Sequence, residues 1–176
     1  MDLRKAQLIK KYDLKPFKIP DDMVVIVDTR EQQPLFDHPV EGLTILNRKL
    51  DNGDYSIQGF EDRFCIERKK ISDFYGYIGK ERKKTVKKLE RMLQYDFAGL
   101  VIEASEADIL SGYVMSKVPP ECARQSIVAF EIRYGLHVYY SRSRQDISRW
   151  CLDRMIKFWR VAHELETIQK GSCKSA

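Results

Sequence analysis

The sequence predicts a single α/β domain in which helices cover a central β-sheet, and three observations predict it. Short apolar, β-branched runs of strand length alternate with longer stretches of helical period. No internal repeat or low-complexity linker interrupts that alternation. The 176 residues, 43% hydrophobic and 32% charged, are enough for one full core. The expected division is a polar, basic arm over residues 1–20, a domain over 21–168 and a tail over 169–176.

The arm contains Pro16 and Pro20, with a short helix expected around Leu3 to Lys11. Met23 to Val27 reads as a fully buried strand that delivers Asp28, Thr29, Arg30 and Glu31 at its end. A loop through Pro34 and Pro39 follows, then a second strand over Leu43 to Leu50. Asp51-Asn52-Gly53 is a strong turn signal, because Asn-Gly supplies the positive φ angles of tight hairpins. Asp54 to Ile57 starts a third strand, and the alternation of Arg63 to Glu67 makes a fourth. The period then becomes helical, with Ser72 as the expected N-cap. A long basic helix is expected from Glu81 to Tyr95, a strand over Gly99 to Glu103 and a helix over Ala104 to Tyr113. Pro119-Pro120 opens a helix toward Arg133. Leu136 to Tyr140 is the last strand, and Ile147 to Ile168 the closing helix.

Composition narrows the function classes. The apolar runs are too short to span a membrane, and the N-terminus lacks the apolar segment of a signal peptide. Cys65, Cys122, Cys151 and Cys173 form no CxxC pair and do not cluster with the histidines, which argues against structural zinc. The chain reads as a reduced intracellular protein, cytoplasmic in a prokaryote or virus and nuclear in a eukaryote. A net charge of +5 leans mildly toward polyanions.

One constellation carries chemistry. Gly53-Asp54 follows the turn, and Glu67-Arg68-Lys69 comes after twelve intervening residues, with Asp73 beyond it. Glu67 and Lys69 are two apart on a strand and share a face. If the Asp54 strand pairs with theirs, two carboxylates and an ammonium converge. Phosphodiester cleavage uses such a set: carboxylates hold Mg²⁺ while leaving room for water and phosphate, and a lysine orients the water and stabilises developing charge. Arg68 points to the other face and is expected to make ion pairs. Spacing alone does not establish the site, since Asp-x(n)-Glu-x-Lys recurs by chance and an Asp after Asn-Gly often serves only the turn.

GD followed by ERK-x3-D, preceded by VDTRE, resembles the nuclease domain of the XPF-type structure-specific DNA endonucleases, with Gly53, Asp54, Glu67, Arg68, Lys69 and Asp73 filling the motif. The likeness runs from Met23 to Glu164. It implies a restriction-endonuclease-like core with a mixed sheet between helices, and a Mg²⁺-dependent endonuclease acting on branched or flapped DNA, with Mn²⁺ able to substitute. By that resemblance Asp54 and Glu67 are metal ligands and Lys69 orients water. Asp28 is a further carboxylate near the metal and among its ligands, and Arg30 a phosphate contact or an organiser of the site. Arg68 and Asp73 complete the catalytic motif, Asp73 also complementing the helix dipole. Two departures bear on the substrate. No helix-hairpin-helix module follows the closing helix, so a protein partner is a candidate source of structure specificity. Where the family has Gly-Arg-Leu, this chain has Gly79-Lys80-Glu81-Arg82. The alternative is a catalytically silent DNA-binding or scaffolding subunit, whose relatives typically carry broken motifs.

Gly79 to Arg91 holds seven basic residues: Lys80, Arg82, Lys83, Lys84, Lys87, Lys88 and Arg91. Val86, Leu89 and Leu93 form the expected apolar stripe, leaving the lysines solvated and free to hold phosphates. On the closing helix, Ile147, Cys151, Met155, Phe158, Ala162 and Leu165 form one stripe, widened by Trp150, Leu152, Ile156 and Trp159. Such a face packs into the core or pairs two chains, and domains of the similar family commonly pair through their helical side. Tyr75, Tyr77, Tyr139 and Tyr140 can stack on bases or fill the core.

Overall fold

The computed structural model describes residues 18–36 and 40–172, with side chains up to Leu165. The arm and its expected helix lie outside the described residues, apart from its last three positions. Six strands form one sheet: β1 (Val24–Val27), β2 (Thr44–Asn47), β3 (Tyr55–Ile57), β4 (Phe64–Lys70), β5 (Phe97–Glu103) and β6 (His137–Tyr140). The helices are α1 (Ile71–Ile78), α2 (Arg82–Met92), α3 (Glu106–Ser111), α4 (Pro120–Tyr134) and α5 (Arg144–Ser172). The closing helix thus begins three residues earlier than expected and extends into the expected tail.

The strand order is β2-β1-β3-β4-β5-β6. All strands run the same way except β3, which is antiparallel to both its neighbours. The sheet is therefore mixed, as expected, but the Asn-Gly reading needs correction. β2 and β3 do not form a hairpin, because β1 lies between them and pairs with both. The connecting segment instead crosses the end of β1, where Arg48 N–H donates to the Val27 carbonyl (3.0 Å) and Asp28 N–H to the Asp54 carbonyl (2.8 Å). Gly53 does take a positive φ of 78°, and a Cβ there would stand 3.0 Å from the Ile66 carbonyl oxygen. Its work is a close approach to β4.

Side-chain alternation divides the core between the two sheet faces. Val25, Val27, Tyr55, Ile57, Phe64, Ile66 and Val101 pack against Ile147, Trp150, Cys151, Met155 and Ile156 of α5. Cys65, Leu100 and Ile102 pack on the other face with Phe74, Tyr75, Tyr77 and Ile78 of α1, Leu89 and Met92 of α2, and Ala123, Ile127 and Phe130 of α4. Most of the apolar stripe of α5 is thus used by the core, though Leu165 is half exposed. Gly99 makes that packing possible, since a Cβ there would meet Trp150 and Ile66 at 3.2–3.3 Å.

Two helix details also differ from expectation. α1 begins at Ile71 with Lys70 as its N-cap and no side-chain cap, so Ser72 lies inside the first turn. The buried stripe of α2 is Thr85, Leu89 and Met92 rather than Val86, Leu89 and Leu93, and Leu93 is 50% exposed. That rotates the helix and turns Lys88, three residues after Thr85 and four before Met92, toward the sheet.

Candidate active site

β1, β4 and β5 run parallel, and the site lies where β1 ends alongside the middle of β4. Asp54 stands just before β3, one residue ahead of Tyr55, and Glu67 one residue beyond Ile66, the partner of Tyr55 on β4. Antiparallel pairing therefore sets the two carboxylates beside each other across one strand gap. Asp54 N–H donates to the Ile66 carbonyl (2.8 Å), and its side chain accepts from Arg68 N–H (2.7 Å). Glu67 is buried, with one oxygen 2.5 Å from Lys69 Nζ and the other ion-paired with Lys88 Nζ.

The electrostatics follow from that crowding. Burial and then the Glu67 charge push the Asp54 carboxyl up to about 6, against the pull of Lys69 and Lys88. Burial raises Glu67 too, but Lys69 and Lys88 outweigh it and hold its carboxyl below the ordinary range. Lys69 is held above the usual lysine value because the Glu67 and Asp54 charges outweigh its burial. The site is thus two unlike carboxylates, one readily protonated and one held ionised by two ammonium groups.

Asp28 is buried beside them but is already engaged. Its carboxylate accepts from Arg30 Nε (2.7 Å), Arg30 Nη2 (2.8 Å), Arg30 N–H (2.7 Å) and Leu50 N–H (2.7 Å). The Arg30 bond is the main cause holding its carboxyl down at about 2. Arg30 also donates to the Leu50 carbonyl at 2.7 Å. Asp28 thus pins the β2–β3 connection across the end of β1 in the arrangement seen here. Arg30 remains largely exposed at the rim of the cleft, where it feels the charges of Asp54 and Glu67.

Arg68 points to the opposite sheet face and makes the ion pairs its alternation implies. It donates Nε (2.8 Å) and Nη2 (2.7 Å) to Glu31, and its Nη1 lies 2.9 Å from Glu103. Glu103 in turn pairs with Arg144 of α5 at 2.5 Å. Burial raises the Glu31 carboxyl and Arg68 more than offsets it, leaving Glu31 below the ordinary range. Asp73 lies exposed in the first turn of α1, on the same cleft as Arg30, Asp54 and Lys69.

The basic residues separate into two groups. Lys80, Arg82, Lys83, Lys84 and Lys87 are exposed, whereas Lys88 reaches inward to Glu67. Three further residues escaped sequence reasoning. Asn52, buried behind the site, accepts from Arg91 Nε (3.1 Å) and donates to Tyr95 Oη (3.1 Å), tying the loop before Asp54 to the end of α2. Glu31 and Glu103 anchor Arg68, and both follow or end predicted strands, which was their only signal. Among the tyrosines, Tyr75 donates to the Ile109 carbonyl (2.7 Å), Tyr139 stacks on Trp150, and Tyr77 is buried with its ring 5.4 Å from Lys69 Nζ.

No group of three or more His, Cys, Asp or Glu suited to a metal ion occurs among the described residues. The donor set still fits a hard divalent cation such as Mg²⁺, which takes one or two carboxylates and fills its shell with water and phosphate. Asp54 and Glu67 are the two carboxylates that could supply such a pair. No described helix is long and apolar enough to cross a membrane.

A mixed sheet between two helical layers, with paired carboxylates and a lysine on one of its faces, defines a restriction-endonuclease-like α/β fold. The ERCC4 domain model matches residues 27–153, and the chain belongs to that family. Among solved structures, XPF from Aeropyrum pernix matches with a TM-score of 0.57 and 18% identity, over 77% of this chain and 60% of that one. The same protein in complex with DNA matches with a TM-score of 0.57 and 18% identity, over 79% of this chain and 66% of that one. The chain therefore spans about 60% of the first of those structures. No curated protein sequence matches.

Proposed function

We propose that the protein is a metal-dependent endodeoxyribonuclease that hydrolyses phosphodiester bonds in branched or flapped DNA. The observation that carries this reading is the convergence of Asp54 and Glu67 with the Lys69 ammonium on one sheet face. Asp54 and Glu67 hold Mg²⁺ or Mn²⁺ through hard oxygen donors. When bound, the metal polarises the phosphoryl group and lowers the pKa of a water. Lys69, beside Glu67, would orient the attacking water and stabilise charge developing on the phosphate. Arg30 offers its exposed edge to a phosphate while its other edge keeps Asp28 in place. On this reading Asp28 and Arg68 organise the strand ends rather than touch the metal, and Asp73 adjusts the cleft through its charge on Lys69.

Lys80, Arg82, Lys83, Lys84 and Lys87 present an exposed basic strip that tracks a DNA backbone. Support for DNA comes from the family and from the similar fold solved with DNA. Among the described residues of α5, Val161 and Leu165 are the exposed large apolar side chains a homodimer would use, because Ile147, Cys151 and Met155 are fully buried. A protein partner remains the proposed source of DNA-structure specificity.

The test is cleavage of duplex, flap, fork and single-stranded substrates in Mg²⁺ or Mn²⁺, beside an Asp54→Asn variant. Metal-dependent cleavage that the variant lacks is the expected result. No cleavage of any substrate would leave the scaffolding alternative, and cleavage surviving in the variant would remove the site assignment.

A further inference from the structure

Tyr77 is a buried tyrosine whose hydroxyl has no partner. It is 5% exposed, on the inner side of α1, and its oxygen has no hydrogen-bonding atom within reach. Buried hydroxyls are rarely left so, because an unmade bond costs the full desolvation of the group. Packing does not require the oxygen. The ring sits among the apolar residues of that face and meets Phe130 edge-on, a place phenylalanine would fill without a polar atom.

The position of Tyr77 points to the acidic site. Its ring stands 5.4 Å from the Lys69 ammonium, which is itself 2.5 Å from Glu67. Burial, and then the Glu67 and Asp54 charges, hold the phenol above its ordinary range. It is therefore a neutral donor in the neighbourhood of two carboxylates. Tyr75 makes the contrast: two residues away on the same helix, its hydroxyl is satisfied by the Ile109 carbonyl. Thr85 donates to the Tyr77 carbonyl at 2.6 Å, which holds the backbone of α1 at this point.

We propose that Tyr77 is a positioning residue of this site, its hydroxyl donating a hydrogen bond to a water held against the Asp54 and Glu67 carboxylates when the metal is bound. The inference rests on the reading of those carboxylates as metal ligands. The loaded site would supply its acceptor. A donor in this place orients a metal-associated water in the way that partners behind metal ligands generally do, and loss of such a partner typically weakens metal binding about 10- to 100-fold.

The experiment compares the full chain with its Tyr77→Phe, Tyr75→Phe and Asp54→Asn variants. Three readouts are needed: thermal unfolding without metal, Mn²⁺ affinity by titration calorimetry, and single-turnover cleavage with DNA affinity measured separately. For Tyr77→Phe the proposal expects an unfolding temperature equal to or above wild type, Mn²⁺ binding weakened roughly tenfold, and slower cleavage at unchanged DNA affinity. Tyr75→Phe should show the reverse, a lower unfolding temperature with wild-type Mn²⁺ affinity. A lower unfolding temperature for Tyr77→Phe, or unchanged Mn²⁺ affinity, would overturn the proposal and leave the carboxylate reading standing. If wild type and Asp54→Asn bind Mn²⁺ equally, both readings fall together.

Discussion

Lys88, a residue of the basic helix α2, ion-pairs with Glu67 on strand β4, so the helix is tied into the site rather than laid beside it. Glu67 thereby has a lysine on each oxygen. The pair is mostly buried, and removing one partner exposes the other's uncompensated charge. Lys88→Met should lower metal-free stability by about 1–3 kcal/mol. Mn²⁺ supplies the missing positive charge, so the loss should shrink when the metal is added. Chemical denaturation with and without Mn²⁺ checks this, and an equal loss in both conditions would contradict it.

The exposed lysines of α2 should behave differently. Replacing Lys83, Lys84 and Lys87 together by Ala should weaken DNA binding and lower the slope of log affinity against log salt by roughly 0.9 for each phosphate no longer neutralised. Lys88→Met should leave that slope close to wild type. Binding measured across a salt series separates the two, and an unchanged slope in the triple variant would remove α2 as the phosphate-binding strip.

Asp54 makes stability and metal binding depend oppositely on pH. Its carboxyl is raised to about 6 in the folded protein by burial and the Glu67 charge, so the folded state binds this proton more tightly than the unfolded chain does. The site therefore penalises folding above about pH 6, and the penalty fades as pH falls toward the ordinary carboxylate range near 4. Asp54→Asn should stabilise the metal-free protein by about 1–2 kcal/mol near pH 8 and by little below about pH 4. Metal binding needs the ionised carboxylate, so Mn²⁺ affinity should rise through pH 6 in wild type. A flat stability difference across pH would show that the Asp54 charge is not the cause.

Arg68 links the strand under the site to Glu31 and, through Glu103, to Arg144 on α5. Arg68→Met should cost about 3 kcal/mol, since it strands the mostly buried Glu31 and leaves Glu103 to Arg144 alone. Arg68→Lys should rescue little, because one ammonium cannot reproduce the forked pairing with Glu31. A double-mutant cycle with Glu31→Gln should show strong coupling, and additive losses would place the Arg68 contribution elsewhere.

The apolar stripe of α5 faces the core, with Ile147, Cys151 and Met155 fully buried. Sedimentation at micromolar concentration should accordingly give a monomer. A stable dimer would require another surface, and Val161→Glu with Leu165→Glu would then test whether the outer side of α5 contributes.

Read from sequence, the strands were placed within a few residues because their apolar, β-branched runs are local signals. The site pattern was legible for a related reason: Glu67 and Lys69 share a face by strand geometry alone, and that same alternation sent Arg68 to its ion pairs. The GD and ERK-x3-D spacing, by its resemblance to a known family, then singled out Asp54 as the second carboxylate. What only the tertiary structure decided are the long-range relationships. Local turn chemistry could not reveal that β1 inserts between β2 and β3, since Asn52-Gly53 suits a tight hairpin and a close crossing alike. Nor could it show the Asp28 carboxylate filled by Arg30 and Leu50, which lie two and twenty-two residues away. The rotation of α2 that brings Lys88 to Glu67 and the placing of Tyr77 beside Lys69 depend on which face each helix buries. Packing against the whole sheet sets that choice, and several faces of a basic amphipathic helix satisfy periodicity nearly equally.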